Sequence, residues 1–354
     1  MSQKKVLYLL LMLSYSSFSQ VTLTADGEGN TYELINSVLA PNYNVVEVPD
    51  CNHVSFGRHI DEIFDADLNK HVFRFIIHTE NDNDRCQKFD RQRNEIKAYD
   101  KSPENLLGVV GERVIYKWKM KVDKDFQASP NFTHLHQLKS VGGDYSSIPM
   151  YTLTARKGNP DKLELRYTNT NSQSTIKKVD LSLLKGTWVE ITEDISYGSN
   201  KNYSLIIKRV DNQNTVFEYS NNNTINWQNG AEFVRPKWGI YRSLLNVADL
   251  RDEEVLFADF SIEQVSPLSI EELSQNTQTI KTYPNPVKKR LFIKETNEHP
   301  FNSINIFDVM GKLILVKKST IKDSIDVSNL NKGMYYFIFK VDQKIVSRNT
   351  IIIN

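Results

Sequence analysis

Cysteine is scarce, with only Cys51 and Cys86 in 354 residues. Two thiols are too few for a disulfide scaffold or a cysteine-based zinc site, and leave either one bridge or two buried thiols. Charge of one sign is lacking as well. With 44 basic against 43 acidic residues the formal charge is +1, so no global field draws nucleic acid or an anionic membrane, and polyanion recognition would need a local basic cleft. No apolar stretch reaches the roughly twenty residues of a membrane helix. Helical periodicity is sparse too, confined to short candidates at 32–39 and 58–64. What is present is 40% hydrophobic, 25% charged and 10% aromatic residues, the composition of a folded chain with room for one large or two ordinary domains.

Residues 1–19 carry Lys4-Lys5, an apolar run from Val6 to Leu13, and Ser17-Phe18-Ser19 ahead of Gln20. That is the order of a secretory signal peptide. No cysteine stands at the cleavage point to take a lipid anchor, so an exported chain is expected. In an oxidising compartment a Cys51–Cys86 bridge becomes the expectation; its loop closure would remove chain entropy worth about 3–4 kcal/mol.

Residues 20–265 are dominated by strand-like alternation between turn residues, as in 72–78 (VFRFIIH) and 113–122 (RVIYKWKMKV). In the latter, Val114, Tyr116, Trp118 and Met120 share one face and Arg113, Lys117 and Lys119 the other, the pattern of a half-buried antiparallel strand. An all-β fold is predicted: one large β-sandwich of jelly-roll type. A polar linker follows at 266–282, and then a compact β-module at 283–354. The module opens with Tyr283-Pro284-Asn285-Pro286, continues through 304–312 (INIFDVMGK) and 325–330 (IDVSNL), and reaches Lys332-Gly333-Met334-Tyr335-Tyr336. These motifs, in this order, resemble the C-terminal sorting domain of the type IX secretion system of Bacteroidetes. The terminal segment departs from that pattern, ending in an apolar run after Arg348. The resemblance implies a small β-sandwich, the type IX machinery as partner, and a secreted or surface-attached product.

Three segments could carry chemistry. As a strand, 90–97 (DRQRNEIK) places Arg91, Arg93, Glu95 and Lys97 on one face, more cation than a solvated face needs. The segment 131–140 (NFTHLHQLKS) puts Phe132, His134, His136 and Leu138 on one side, and Thr133, Leu135, Gln137 and Lys139 on the other. His134-x-His136 invites a metal reading, but no third ligand follows from spacing. In 236–243 (PKWGIYRS), Lys237, Gly239, Tyr241 and Ser243 alternate with Trp238, Ile240 and Arg242. Gly239 is expected to clear space beside Tyr241 for a ligand.

Through 84–106 (DRCQKFDRQRNEIKAYDKSPENL), 129–143 (SPNFTHLHQLKSVGG), 150–167 (MYTLTARKGNPDKLELRY) and 238–243 (WGIYRS), the chain resembles the β-jelly-roll polysaccharide lyases, most nearly the ulvan lyases of polysaccharide lyase family 28, with glucuronan and heparin lyases as more distant relatives. The resemblance implies cleavage of an anionic, uronic-acid-containing polysaccharide by β-elimination, with no cofactor required. Arg91, Arg93 and Gln137 are the candidate carboxylate clamp, Lys139 the candidate base with His136 as its alternative, and Tyr241 the candidate acid. Lys97, His134, Arg166 and Arg242 are further candidates for substrate contact. A non-catalytic carbohydrate-binding jelly roll is the main rival reading. A glycoside hydrolase is the weaker one, because Glu95 lacks a well-placed second carboxylate. Asp65, Asp67 and Asn69 have the spacing of calcium ligands, so a structural calcium stays open, but an EF-hand's glycine and terminal glutamate are missing. His53 and His59 flank Phe56-Gly57-Arg58 and read as surface histidines or as a loop bordering the cleft.

Overall fold

The structure is a computed structural model that describes residues 19–265, 280–294, 301–309, 313–318, 324–341 and 344–354. The expected signal peptide up to residue 18, and residues 266–279 of the expected linker, lie outside the described residues. The chain divides into two units, Met1–Pro267 and Leu268–Asn354.

The first unit contains β1 (Ser19–Leu23), α1 (Thr31–Leu39), β2 (Val46–Glu47), β3 (Ile60–Asp65), β4 (Lys70–Ile77), β5 (Arg91–Lys97), β6 (Arg113–Val122) and β7 (Thr133–Val141). It continues with β8 (Tyr151–Arg156), β9 (Lys162–Tyr167), β10 (Ser174–Asp180), β11 (Val189–Ser196), β12 (Gly198–Arg209), β13 (Thr215–Asn226), β14 (Phe233–Ser243) and β15 (Glu253–Val265). One sheet has the order β13-β12-β11-β6-β15-β4-β3, with β1 also paired to β15; the other runs β10-β9-β8-β7-β14-β5-β2. All their strand pairs are antiparallel. This is the jelly-roll-type sandwich that the alternation predicts.

Each sheet turns one face inward. On β6, Val114, Tyr116, Trp118 and Met120 are buried as the alternation requires. Trp118 meets Trp238 of β14 across the layer with ring centroids 6.0 Å apart. Burial of such aromatic surface is the main driving force for closing the sandwich. The helix at α1 is present, buried through Ile35 and Leu39. The second helical candidate is instead strand β3, because Ile60 to Asp65 pair residue for residue with β4. Pairing overrides the local pattern there.

Cys51 and Cys86 form the expected disulfide, with Cα atoms 6.3 Å apart. It ties the segment after β2 to the segment before β5. Asp65 and Asp67 lie at the β3–β4 turn: Asp65 accepts the Leu68 amide and the Trp188 indole N–H, and the Lys121 ammonium is 2.6 Å from Asp67. Asp65 thus closes the turn, and Asp67 pairs with Lys121.

The second unit holds a three-stranded sheet, β16 (Lys281–Tyr283), β17 (Arg290–Lys294) and β20 (Ser324–Asp326), in the order β16-β17-β20. A four-stranded sheet orders β19 (Leu313–Lys318), β18 (Ser303–Asp308), β21 (Gly333–Val341) and β22 (Lys344–Ile353) as β19-β18-β21-β22. Leu291, Ile304, Ile306, Phe337, Phe339 and Ile351 form its core. Among the described residues, no helix is long and apolar enough to cross a membrane.

Candidate active site

The face of the seven-stranded sheet turned away from the core gathers the charge. Trp238 and Ile240 point inward, so Arg235, Lys237, Gly239 and Tyr241 of β14 point outward. The register sets Tyr241 opposite Arg93 of β5 on one side and His134 of β7 on the other. Lys237 faces Lys97 and Gln137, and Arg235 faces Lys139. On the next strands Thr152 is opposite Gln137 and Arg166, while Thr154 is opposite His134 and Glu164.

Tyr241 is held from two sides. The Arg91 Nη1 donates to its phenol oxygen at 2.9 Å, and the Arg93 guanidinium lies 3.7 Å from the ring centre. Burial raises the phenol's pKa while both arginines oppose the rise, so at neutral pH the phenol keeps its proton and has cations ready for the phenolate. The His134 ring stacks on Phe132 with centroids 4.8 Å apart and stands 5.7 Å from the Tyr241 ring. Burial, reinforced by Arg156, Arg93 and Arg166 against Glu95, pushes the His134 imidazole down to about 3. It is neutral, and its buried Nδ1 has no hydrogen-bond partner among the described residues.

Beside this pair lies a dense ionic cluster. Glu95 accepts from Arg93, Gln137 and Lys237. Glu47 accepts from Lys97 at 2.8 Å and Arg85 at 2.6 Å, and lies 2.6 Å from the Lys237 ammonium. Burial would raise the Glu47 carboxyl, but Lys237, Arg93, Lys97 and Arg85 hold it far below the usual range. Asp84 takes two further Arg93 donors at 2.8 and 3.2 Å. Arg93 and Gln137 are therefore already engaged within the protein. Arg235 differs: its Nε and Nη1 are buried without a partner among the described residues, and its guanidinium rests 4.7 Å over the Tyr99 ring. Lys139 donates to the Ser147 carbonyl at 3.1 Å, and burial together with Lys237, Arg235 and Arg93 lowers its ammonium to about 8.

Several expected placements are corrected. A bulge breaks the alternation of β7: its pairing with both β8 and β14 shifts between His134 and His136. The two histidines therefore face opposite ways. His134 joins Gln137 and Lys139 outside, while His136 points into the core, its Nε2 2.7 Å from Glu193 and its ring 4.4 Å from Trp118. His136 cannot reach a substrate on the outer face. Arg242 is likewise inward and buried, donating to Gln92 and to the Arg251 carbonyl. Lys97 is tied to Glu47. Arg166 stays on the outer face, bonded to Thr175 at 2.7 Å and the Gln173 carbonyl at 2.8 Å. Lys139 lies opposite Arg235, six positions before Tyr241 on β14, or roughly 20 Å of strand at ~3.3 Å per residue. Gly239 opens no space for a ligand: a Cβ there would meet the Asn94 carbonyl oxygen at 2.1 Å. The glycine lets β14 approach β5. Arg235, Arg156 and Glu47 went unnoticed in the sequence, and Lys237 was placed beside Tyr241 without a role; the alternation of β14 marks Arg235 as well, whereas Glu47 sits on a two-residue strand with no signal of its own.

The outer face of this all-β sandwich thus gathers cations, a phenol and a neutral imidazole. The family comparison is specific. Residues 73–261 match the polysaccharide lyase family model, and the chain belongs to that family; it is a polysaccharide lyase. Residues 281–354 match the secretion system C-terminal sorting domain, which directs type IX export to the cell exterior or surface. No curated protein matches. Among solved structures, the endo-β-1,4-glucuronan lyase of the fungus Trichoderma reesei aligns at 13% identity and TM-score 0.42, covering 58% of this chain and 87% of that one. The marine PL-14 alginate lyase of Aplysia kurodai aligns at 13% identity and TM-score 0.46, covering 70% and 98%.

Proposed function

We propose that this exported lyase cleaves a uronic-acid-containing polysaccharide such as ulvan by β-elimination, with Tyr241 as acid and His134 as base. The observation that carries the reading is the Tyr241 phenol, with Arg91 on its oxygen and Arg93 against its ring, opposite a neutral imidazole. The C5 proton of a uronate is weakly acidic because the neighbouring carboxylate is already negative, so cations must neutralise that carboxylate first. Arg91, which sits beside the Tyr241 hydroxyl and otherwise pairs with the exposed Asp90, is the group to do so. The bound uronate's negative charge raises the basicity of the His134 imidazole from its low value in the free enzyme; His134 then takes the C5 proton, the C4–O bond breaks, and the Tyr241 phenol protonates the departing oxygen. The phenolate left behind is stabilised by the two arginines, and a double bond between C4 and C5 remains on the product. Lys139 and Arg235, farther along the strand, serve a sugar several positions away in the chain, where they bind its acidic or sulfated groups.

Glucuronan and heparin-type polymers are the alternative substrates. Incubation with ulvan, glucuronan and heparin, followed by ultraviolet absorbance of the unsaturated uronate, tests the reading. Absorbance should grow with at least one of the three, and fastest with ulvan. Cleavage that yields no unsaturated ends would remove the elimination mechanism.

A further inference from the structure

Three imidazoles and one carboxylate converge away from the Tyr241 face, at the end of β4. His53 Nδ1 and His59 Nε2 lie 2.8 and 3.1 Å from Asp82 Oδ1, and His78 Nδ1 lies 3.1 Å from Asp82 Oδ2. All four ligand atoms are within 4.8 Å of one another. A tetrahedral ion with bonds of ~2.0–2.1 Å separates neighbouring ligand atoms by about 3.3 Å, a value these spacings bracket. We propose that His53, His59, His78 and Asp82 form a structural zinc site.

The donor set selects the metal. Three imidazole nitrogens with one carboxylate suit zinc, whereas calcium and magnesium demand an oxygen shell. Four protein ligands close the coordination sphere, the mark of a structural rather than a catalytic ion. The outer contacts fit as well. Asp50 Oδ1 is 2.7 Å from the other ring nitrogen of His59, and the Tyr32 hydroxyl donates to Asp50 at 2.9 Å; such a carboxylate orients a ligating imidazole. The Phe56 ring covers the group, with centroids 5.3, 4.7 and 4.4 Å from His53, His59 and His78. His59 and Asp82 are fully enclosed, while the His53 and His78 side chains keep 15% and 20% exposure, which leaves an entry path for the ion.

The site joins three stretches that sequence keeps apart: the segment carrying His53 and His59, the end of β4 at His78, and the turn with Asp82. From there the connection to the catalytic face is short. Gln92 of β5 donates to the Asp82 carbonyl, and Asp84 fixes the Arg93 guanidinium that stacks on Tyr241. The ion would thus act as a positioning device for Arg93.

The test uses the full chain, free of any histidine tag, stripped with a chelator and then offered zinc sulfate. Elemental analysis after dialysis should find one zinc per chain, and zinc should raise the thermal midpoint by several degrees where calcium and magnesium do not. Cobalt(II) in place of zinc should give the intense visible bands of a tetrahedral site. The His53→Gln/His78→Gln variant, altered only at the two partly exposed ligands, should stay folded by circular dichroism yet lose both the bound zinc and the thermal response. Sub-stoichiometric zinc with an unmoved midpoint in the unaltered protein would overturn the proposal and leave a hydrogen-bonded histidine cage. Full zinc retention by the double variant would overturn it equally, by placing the ion elsewhere. These readouts do not depend on which polymer is cleaved.

Discussion

The Tyr241 phenol has a single hydroxyl and two cations to receive its negative charge, so removing the hydroxyl alone tests its role most cleanly. Tyr241→Phe should lower kcat about 10²–10⁴-fold, the usual range for a positioned acid, with the thermal midpoint little changed. Lys139 makes an opposing pair of predictions. Its ammonium, lowered to about 8 by burial and by Lys237, Arg235 and Arg93, discharges as pH rises through that value. If it grips an acidic sugar, KM for the polymer should rise above pH 8, and Lys139→Arg should abolish that rise. A kcat that climbs across the same interval would mark Lys139 as the base instead. At this scale the residue types were readable: arginines, tyrosine, glutamine and lysine in alternating runs announce an anionic ligand. Which arginine is available was not, because Asp84 and Glu47, the partners that occupy Arg93 and Lys97, are contributed by other segments.

Elements decide the geometry through register. β7 carries one extra residue against β8, while β14 carries one against β7, and a period of two turns such a single-residue shift into a change of face. His134 and His136 are separated by it, and His134 is brought round to Tyr241. On the facing strand Gly239 adopts φ +143°, with the β5 backbone where a Cβ would stand. Gly239→Ala should destabilise the domain by about 1–3 kcal/mol from overpacking, visible as a lower urea midpoint, and should reduce activity by pushing Arg93 away from Tyr241. The disulfide acts on the same strand from its other end. Cys51→Ser/Cys86→Ser opens a loop with a sequence separation of 35 and should cost about 3–4 kcal/mol, read as a fall in the thermal midpoint that reducing agent reproduces in the unaltered protein. Strand positions were largely evident from alternation. The bulge was not, since an extra residue shows only against a paired neighbour.

At the level of the whole molecule the chain is an enzyme joined to an export address. Each unit has its own apolar core, so a chain ending at residue 267 is expected to fold and to retain full lyase activity on soluble polymer, while failing to reach the medium when expressed in a type IX-competent host. Activity assays on the purified fragment and on culture supernatants check the two halves of that statement. The sequence alone determined the all-β class, the sorting motifs, the cysteine pairing that export favours, and the concentration of cations on 91–97. These follow from short-range regularities: a two-residue period, turn residues at fixed offsets, and composition. Tertiary structure decided which imidazole stands beside Tyr241, which charges are spent on one another, and that His53, His59, His78 and Asp82 meet at one point. Those outcomes depend on long-range pairing of strands and loops, and local sequence carries no record of which distant partner a side chain will find.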